Sequence, residues 1–274
     1  MSKMSSELNN ELNQLVNLLE AQLPANPDAP ANRKLERQFA SSLSDYFNGL
    51  ADAFPFYKLT ELYYSGVKEA TSVKPPPGGD DWIDTLIRAF RADLTYRLNS
   101  HLAQIFIAGS TQLTSWGKTK IAGLPIYYEG PPLKQAIEWA EKYGSKLVTK
   151  MDEETKNRLA KVIRDGIDNK RGIEGISRDI RKEFTDMSKA RADLISQTET
   201  SNALGQSFLE RGKAMGLEAK QWYVTAGNIC EECLANGAAG IIPFDQPFPS
   251  GVMTVPQHPG CRCACAPARF GRED

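Results

Sequence analysis

The first 120 residues read as helix after helix. Leu8, Leu12, Leu15, Leu19 and Leu23 recur at steps of three and four, which lays one apolar stripe along an α-helix. Pro24, Pro27 and Pro30 then interrupt the pattern, since proline cannot continue a helix interior. A second stripe, Phe39, Leu43, Tyr46, Phe47, Leu50 and Phe54, stops at Pro55. Residues 57–69 add a short helix carrying Leu59, Leu62, Tyr63 and Val67. Pro75-Pro76-Pro77-Gly78-Gly79 is a stiff spacer followed by a flexible turn, so a hinge is expected near 74–80. Asp80 or Asp81 stands where an N-cap belongs. The helix that follows carries Trp82, Ile83, Leu86, Phe90, Leu94, Leu98, Leu102, Ile105 and Phe106. Continuous over about 25 residues it spans about 37 Å, a rod suited to a bundle or an assembly interface.

Residues 123–130 (Gly-Leu-Pro-Ile-Tyr-Tyr-Glu-Gly) form a second break, and the domain boundary is placed there. One helix then starts at Leu133 and reaches Leu147; another, entered at Asp152, carries Leu159, Val162, Ile163 and Ile167 and ends near Gly172. A short helix with Ile180 and Phe184 follows. Ser188 is expected to cap the next, which runs through Ala192, Leu194, Ile195, Thr198, Ala203 and Phe208 to a C-terminal Gly216. The period then changes. Trp222-Tyr223-Val224-Thr225 is aromatic and β-branched, as a strand requires, with 252–255 and 261–265 as further short strands. The expected fold is mainly α (α+β): an N-terminal helical region over 1–124, then a helical domain over 125–274 ending in a small β-rich cap.

Composition narrows the function. With 33 basic and 34 acidic side chains the net charge is −1, which argues against a basic footprint over the whole molecule. Lys156, Arg158, Lys161, Arg164, Arg171, Arg178 and Arg181 are interleaved with Asp165, Asp168, Glu174, Asp179 and Glu183. Mixed charge at helical spacing describes a solvated face. No apolar run approaches the length of a membrane span, and the first residues lack a secretory layout. The expectation is a soluble protein assembled inside the cell.

All five cysteines, and one of the two histidines, lie within the last fifty residues. Cys230-Glu231-Glu232-Cys233 and His258-Pro259-Gly260-Cys261 are two knuckles with the same ligand spacing. Each sets two ligands across a tight turn, and together they supply the four protein ligands of a structural zinc (Zn2+) site. Thiolate and imidazole together favour zinc over hard cations. If 261–265 is a strand, Cys261, Cys263 and Cys265 share a face. The set is therefore read as Cys230, Cys233, His258 and Cys261, with Cys263 as the alternative fourth ligand and Cys265 as a buried small side chain. A closed four-ligand site staples the cap and leaves no position for substrate.

No enzyme pattern is completed. His101 stands alone in the long helix, so no pair of histidines shares a helix as a zinc protease requires. Nucleoside deaminases need His-x-Glu and Pro-Cys-x-x-Cys, but here His258 precedes Pro259-Gly260 and Ile229 precedes the first cysteine. Glycine-rich phosphate loops and a Gly-x-Ser-x-Gly elbow are absent. The remaining hydrolase candidates are Glu199 and the Glu231/Glu232 pair, the latter expected to be exposed.

From Leu133 to Pro267 the order of features resembles the phage head morphogenesis domain, the family of phage Mu F-like minor head proteins. The resemblance rests on Gly172-Ile-Glu-Gly-Ile-Ser-Arg-Asp-Ile180, on Ala190 to Ala203 with Thr198-Glu199, and on Gly216 and Trp222. Cys230-x-x-Cys233, Asn236, Gly240 and His258-Pro-Gly-Cys-Arg-Cys263 complete it, the last being its most specific element. Two departures stand out. Gln197-Thr198-Glu199 replaces the family's Arg-Thr-Glu, and Asn228 stands near where an acidic residue often precedes the first cysteine. The resemblance implies a non-enzymatic minor head protein of a tailed phage or prophage, in several copies in the virion and in the host cytoplasm during assembly. It implies contacts with the portal protein and with capsid or scaffold. The competing reading is a zinc-stapled module that contacts packaged DNA.

Overall fold

The computed structural model describes residues 23–68, 81–118, 132–225 and 230–270. The leucine stripe before Leu23, the proline hinge, the break at 123–130 and Asn228 lie outside them. The fold is mainly helical: α1 (Pro30–Asp52), α2 (Phe56–Lys68), α3 (Asp81–Gly117), α4 (Leu133–Asp168), α5 (Ile173–Asp186), a π-helical turn (Met187–Arg191) and α6 (Ala192–Ala214). Then come β1 (Ala219–Tyr223), α7 (Glu231–Ala238), β2 (Ile241–Pro243) and β3 (Ala264–Ala268).

Pro30 opens α1 at its first position, where a missing N–H costs nothing. Three of the expected boundaries dissolve into longer helices. α3 runs for 37 residues, because no proline interrupts it and the polar tail is retained, with Thr111 and Thr114 donating to the carbonyls four residues back. α4 is one 36-residue helix. Asp152 caps nothing; it is buried in mid-helix and meets Arg91 Nε at 2.7 Å. Ser188 likewise is no cap. No glycine or proline occurs from Ile176 to Leu204, so the chain passes from α5 into α6 through one widened turn. Ser188 Oγ donates to Thr185 O within it.

The contacts divide the chain into two compact units. One is formed by residues 39–100 and 139–193. Its core holds Phe39, Leu43, Phe47, Leu50, Phe54, Leu94, Leu98, Leu159, Ile163, Ile180 and Phe184. The π-helical turn buries Arg191, which donates to Thr155 Oγ1 at 2.8 Å and to Met151 O at 3.2 Å and lies over the Phe47 ring. Arg158 pairs with both Glu183 and Asp186. The stripe that α4 buries is Ala136, Ala140, Val148, Met151, Leu159 and Ile163, while Leu133 and Ile137 are exposed.

The other unit is formed by residues up to 38, 101–138 and 194 onward, and it contains the cysteine cluster. Leu102, Ile105, Phe106, Leu113, Ala203, Leu204 and Phe208 are buried in it. Its sheet has the order β2-β1-β3, all antiparallel, with Trp222 opposite Cys265. The strand expected from Trp222 starts three residues earlier, and the one expected from Cys261 starts only at Ala264. The strand expected over 252–255 is a loop. Its backbone is occupied elsewhere: the buried Lys220 amine donates to Met253 O at 2.7 Å, and Val255 O lies against Gly205 of α6. β2 was not expected at all.

Candidate metal centre

The first knuckle is built by a helix start. Cys230 is the N-cap of α7, and its Sγ accepts from the Cys233 amide at 3.4 Å. Glu231 and Glu232 occupy the first turn and are exposed, as expected. The second knuckle is a turn. Cys261 N donates to His258 O at 3.1 Å, Pro259 sits at a corner, and Gly260 adopts φ +71°, which only glycine takes without strain. His258 Nδ1 lies 2.9 Å from the Pro259 carbonyl, which can only accept, so Nδ1 donates that bond and Nε2 is the ring atom left for a ligand role.

These turns bring five of the sequence candidates together. Cys230, Cys233 and His258 have ligand atoms within 4.8 Å of one another, and so do Cys233, Cys261 and Cys263. Cys233 belongs to both groups. Cys261 and Cys263 thus converge on the same place although neither lies in a strand. Cys265 is set apart in β3, fully buried opposite Trp222.

The donor set fits zinc. With zinc–sulfur bonds of about 2.3 Å, the edge of a tetrahedron is about 3.8 Å. Cys233 Sγ and Cys261 Sγ stand 3.8 Å apart, and all five cysteines are free thiols. A bound zinc would be held by four of these five side chains, and it would supply cross-linking of α7 to the 258–263 loop. The electrostatics are uneven. Hydrogen bonding from the Cys263 thiol, working against burial, draws Cys261 down to about 5. Burial, with the hydrogen bond to Cys230 and the charge on Cys261, pushes Cys233 up to about 12. The Cys263 thiol is also pushed up, by donating to Cys261 and by burial. Of these three buried thiols, Cys261 is the one whose hydrogen bonds favour ionisation.

The loop is held by residues that sequence reading did not assign to it. Thr198 Oγ1 of α6 accepts from Gly260 N at 3.0 Å and donates to Leu194 O at 2.7 Å. Ser201 Oγ donates to Cys261 O, and Thr225 Oγ1 donates to Arg262 O at 2.7 Å. Asn236 ties α7 to Ser250 by two bonds, at 2.9 and 3.0 Å. Arg262 reaches Asp28 and Glu36, more than 220 positions earlier in the chain. No local pattern signals such a pairing; only the position of Arg262 between two cysteines offered a hint. Glu199 is buried and accepts from Asn202 Nδ2 at 2.9 Å. His101 stands in α3, outside both ligand groups.

The fold and the site together define a helical module whose small β cap is gathered around cysteines and a histidine. Residues 157–266, less than half of the chain, match the family model described as phage Mu protein F like protein. The match encloses every cysteine of the cluster. No curated protein and no solved structure matches the chain.

Proposed function

We propose that this protein is a minor head protein of a tailed phage or prophage, acting in head morphogenesis at the portal vertex or procapsid interior. The observation that carries the reading is the family match over 157–266. The cysteine and histidine cluster supports a structural role, since its five candidate ligands are tied to one another and to backbone turns. Among the described residues, no helix is long and apolar enough to cross a membrane. The region 1–124 docks on portal, capsid or scaffold, and the module over 125–274 supplies the second contact surface. Co-expression with the portal and capsid proteins of the same phage tests this. The expected result is co-purification with the portal oligomer and presence in isolated heads. A chain that stays free of portal and is missing from heads sinks the reading. Binding to DNA that collapses between low and moderate salt, without portal binding, would favour a DNA-contacting module instead.

Within that function the metal is zinc, held by Cys230, Cys233, His258 and Cys261. Zinc content decides between the last ligand and its rival. Cys261→Ser is expected to lose the ion and Cys263→Ser to keep it; the reverse pattern transfers the fourth position to Cys263.

A further inference from the structure

The zinc loop carries a side chain that faces a different task. Arg262 lies between Cys261 and Cys263, both buried among the candidate ligands. Its own guanidinium reaches the segment that leads into α1. Nε donates to Asp28 Oδ1 at 3.0 Å, Nη1 to Glu36 Oε2 at 2.6 Å, and Nη2 to Pro27 O at 3.1 Å. Arg33 bridges the same two carboxylates, at 2.9 Å from Asp28 and 3.1 Å from Glu36. Glu36 is 5% exposed. A buried carboxylate is tolerated only while its charge partners remain in place. A planar guanidinium that serves two carboxylates and a carbonyl holds its bonds only in one orientation. That orientation is set by the backbone of Arg262, fixed by Cys261 and Cys263 on either side and by Thr225.

We propose that Arg262 makes the metal loop a latch for the N-terminal segment, so that metal binding by the flanking cysteines fastens residues 26–36. The proposal rests on the zinc reading above. Asp28 and Glu36 lie outside the residues that match the family model, whereas Arg262 lies inside them. The latch therefore joins this chain's own N-terminal segment to the shared domain. When the cysteines lose their metal, the loop gains freedom and the fork loses alignment with both carboxylates. Asn32 and Gln112, which bond each other reciprocally, retain the helix beyond that point. Release is thus local to the chain before Asn32 and the first turn of α1.

Hydrogen exchange by mass spectrometry on the full chain tests the latch, with zinc content measured in parallel. Stripping zinc with a chelator is expected to raise exchange in a peptide covering residues 26–36 by about tenfold, while α5 keeps its protection. Zinc-loaded Arg262→Gln is expected to show the same rise with its zinc retained. Asp28→Asn, a milder change that leaves Glu36 in place, is expected to show a smaller rise, again with zinc retained. Unchanged exchange over 26–36 on stripping a protein that demonstrably bound zinc overturns the latch and leaves the metal reading standing. Loss of protection everywhere on stripping, α5 included, also overturns it. A chain that takes up no zinc under any condition removes the metal reading, and the latch falls with it.

Discussion

At Tyr46 the phenolic oxygen is buried with no hydrogen-bond partner among the described residues. Burial, and next the neighbouring Asp152 charge, raise its pKa above the ordinary tyrosine value. A buried hydroxyl left unpaired costs about 1–3 kcal/mol. Tyr46→Phe is therefore expected to be neutral or to stabilise by about 1 kcal/mol, read from chemical denaturation, despite the position lying in a core. Asp152 gives a pH-dependent counterpart. Burial raises its pKa from 3.8, and the hydrogen bond from Arg91 only partly opposes this. An acid with a raised folded pKa is ionised more easily in the unfolded chain, so its contribution is most favourable below that ordinary value. The contribution is lost as pH rises through the folded value. Melting temperatures of Asp152→Asn and wild type should thus shift in the variant's favour between about pH 4 and about pH 7; a constant gap would contradict the argument. In the candidate metal centre, Cys233 is the residue shared by both ligand groups. Cys233→Ser should abolish zinc uptake, and Cys265→Ala, in the sheet, should leave it intact.

Between elements, close approach is bought with glycine on α6. A Cβ at Gly205 would stand 2.1 Å from the Val255 carbonyl oxygen, a backbone atom that cannot rotate away. Alanine gains about 1 kcal/mol of helix propensity over glycine, yet overpacking against fixed backbone costs about 1–3 kcal/mol or more. Gly205→Ala is expected to destabilise and to loosen the loop that leads into His258. Gly109 of α3 provides the control. A Cβ there would meet Ser207 Oγ at 2.2 Å, and that hydroxyl can turn, giving up its bond to Leu204 O. Gly109→Ala should therefore be close to neutral, and an equal loss in both variants would refute the distinction. The helix boundaries follow the same physics. The boundaries expected at Asp152 and Ser188 failed because both residues only resembled caps. In both places an uninterrupted run of helix-compatible residues continued, and the polar side chains found partners inside the fold.

For the whole molecule, the consequence to measure is the dependence of the β cap on metal. β1, β2 and β3 contribute only 5, 3 and 5 residues to the sheet, too few to hold a cap by backbone pairing alone. Chelation should lower the melting temperature by several degrees, and readdition of zinc should restore it. An unchanged transition would remove the staple from the account of stability. The resemblance to the matched family, the helical character and the cysteine–histidine cluster were legible in the sequence because each is written in local order: apolar spacing, Pro and Gly punctuation, and ligand pairs separated by two residues. The turn of the second knuckle was legible for the same reason, whereas the first knuckle opens α7, a helix that was not expected. What only the tertiary structure decided depends on residues distant in the chain. Cys261 and Cys263 converge on Cys233 without a strand to align them, and 252–255 gives up strand pairing to Lys220 and to α6. Arg262 joins the cluster to Asp28 and Glu36 across more than 220 residues. Charge pairing at that distance leaves no periodic trace, since it is fixed by which surfaces meet and not by what stands nearby in sequence.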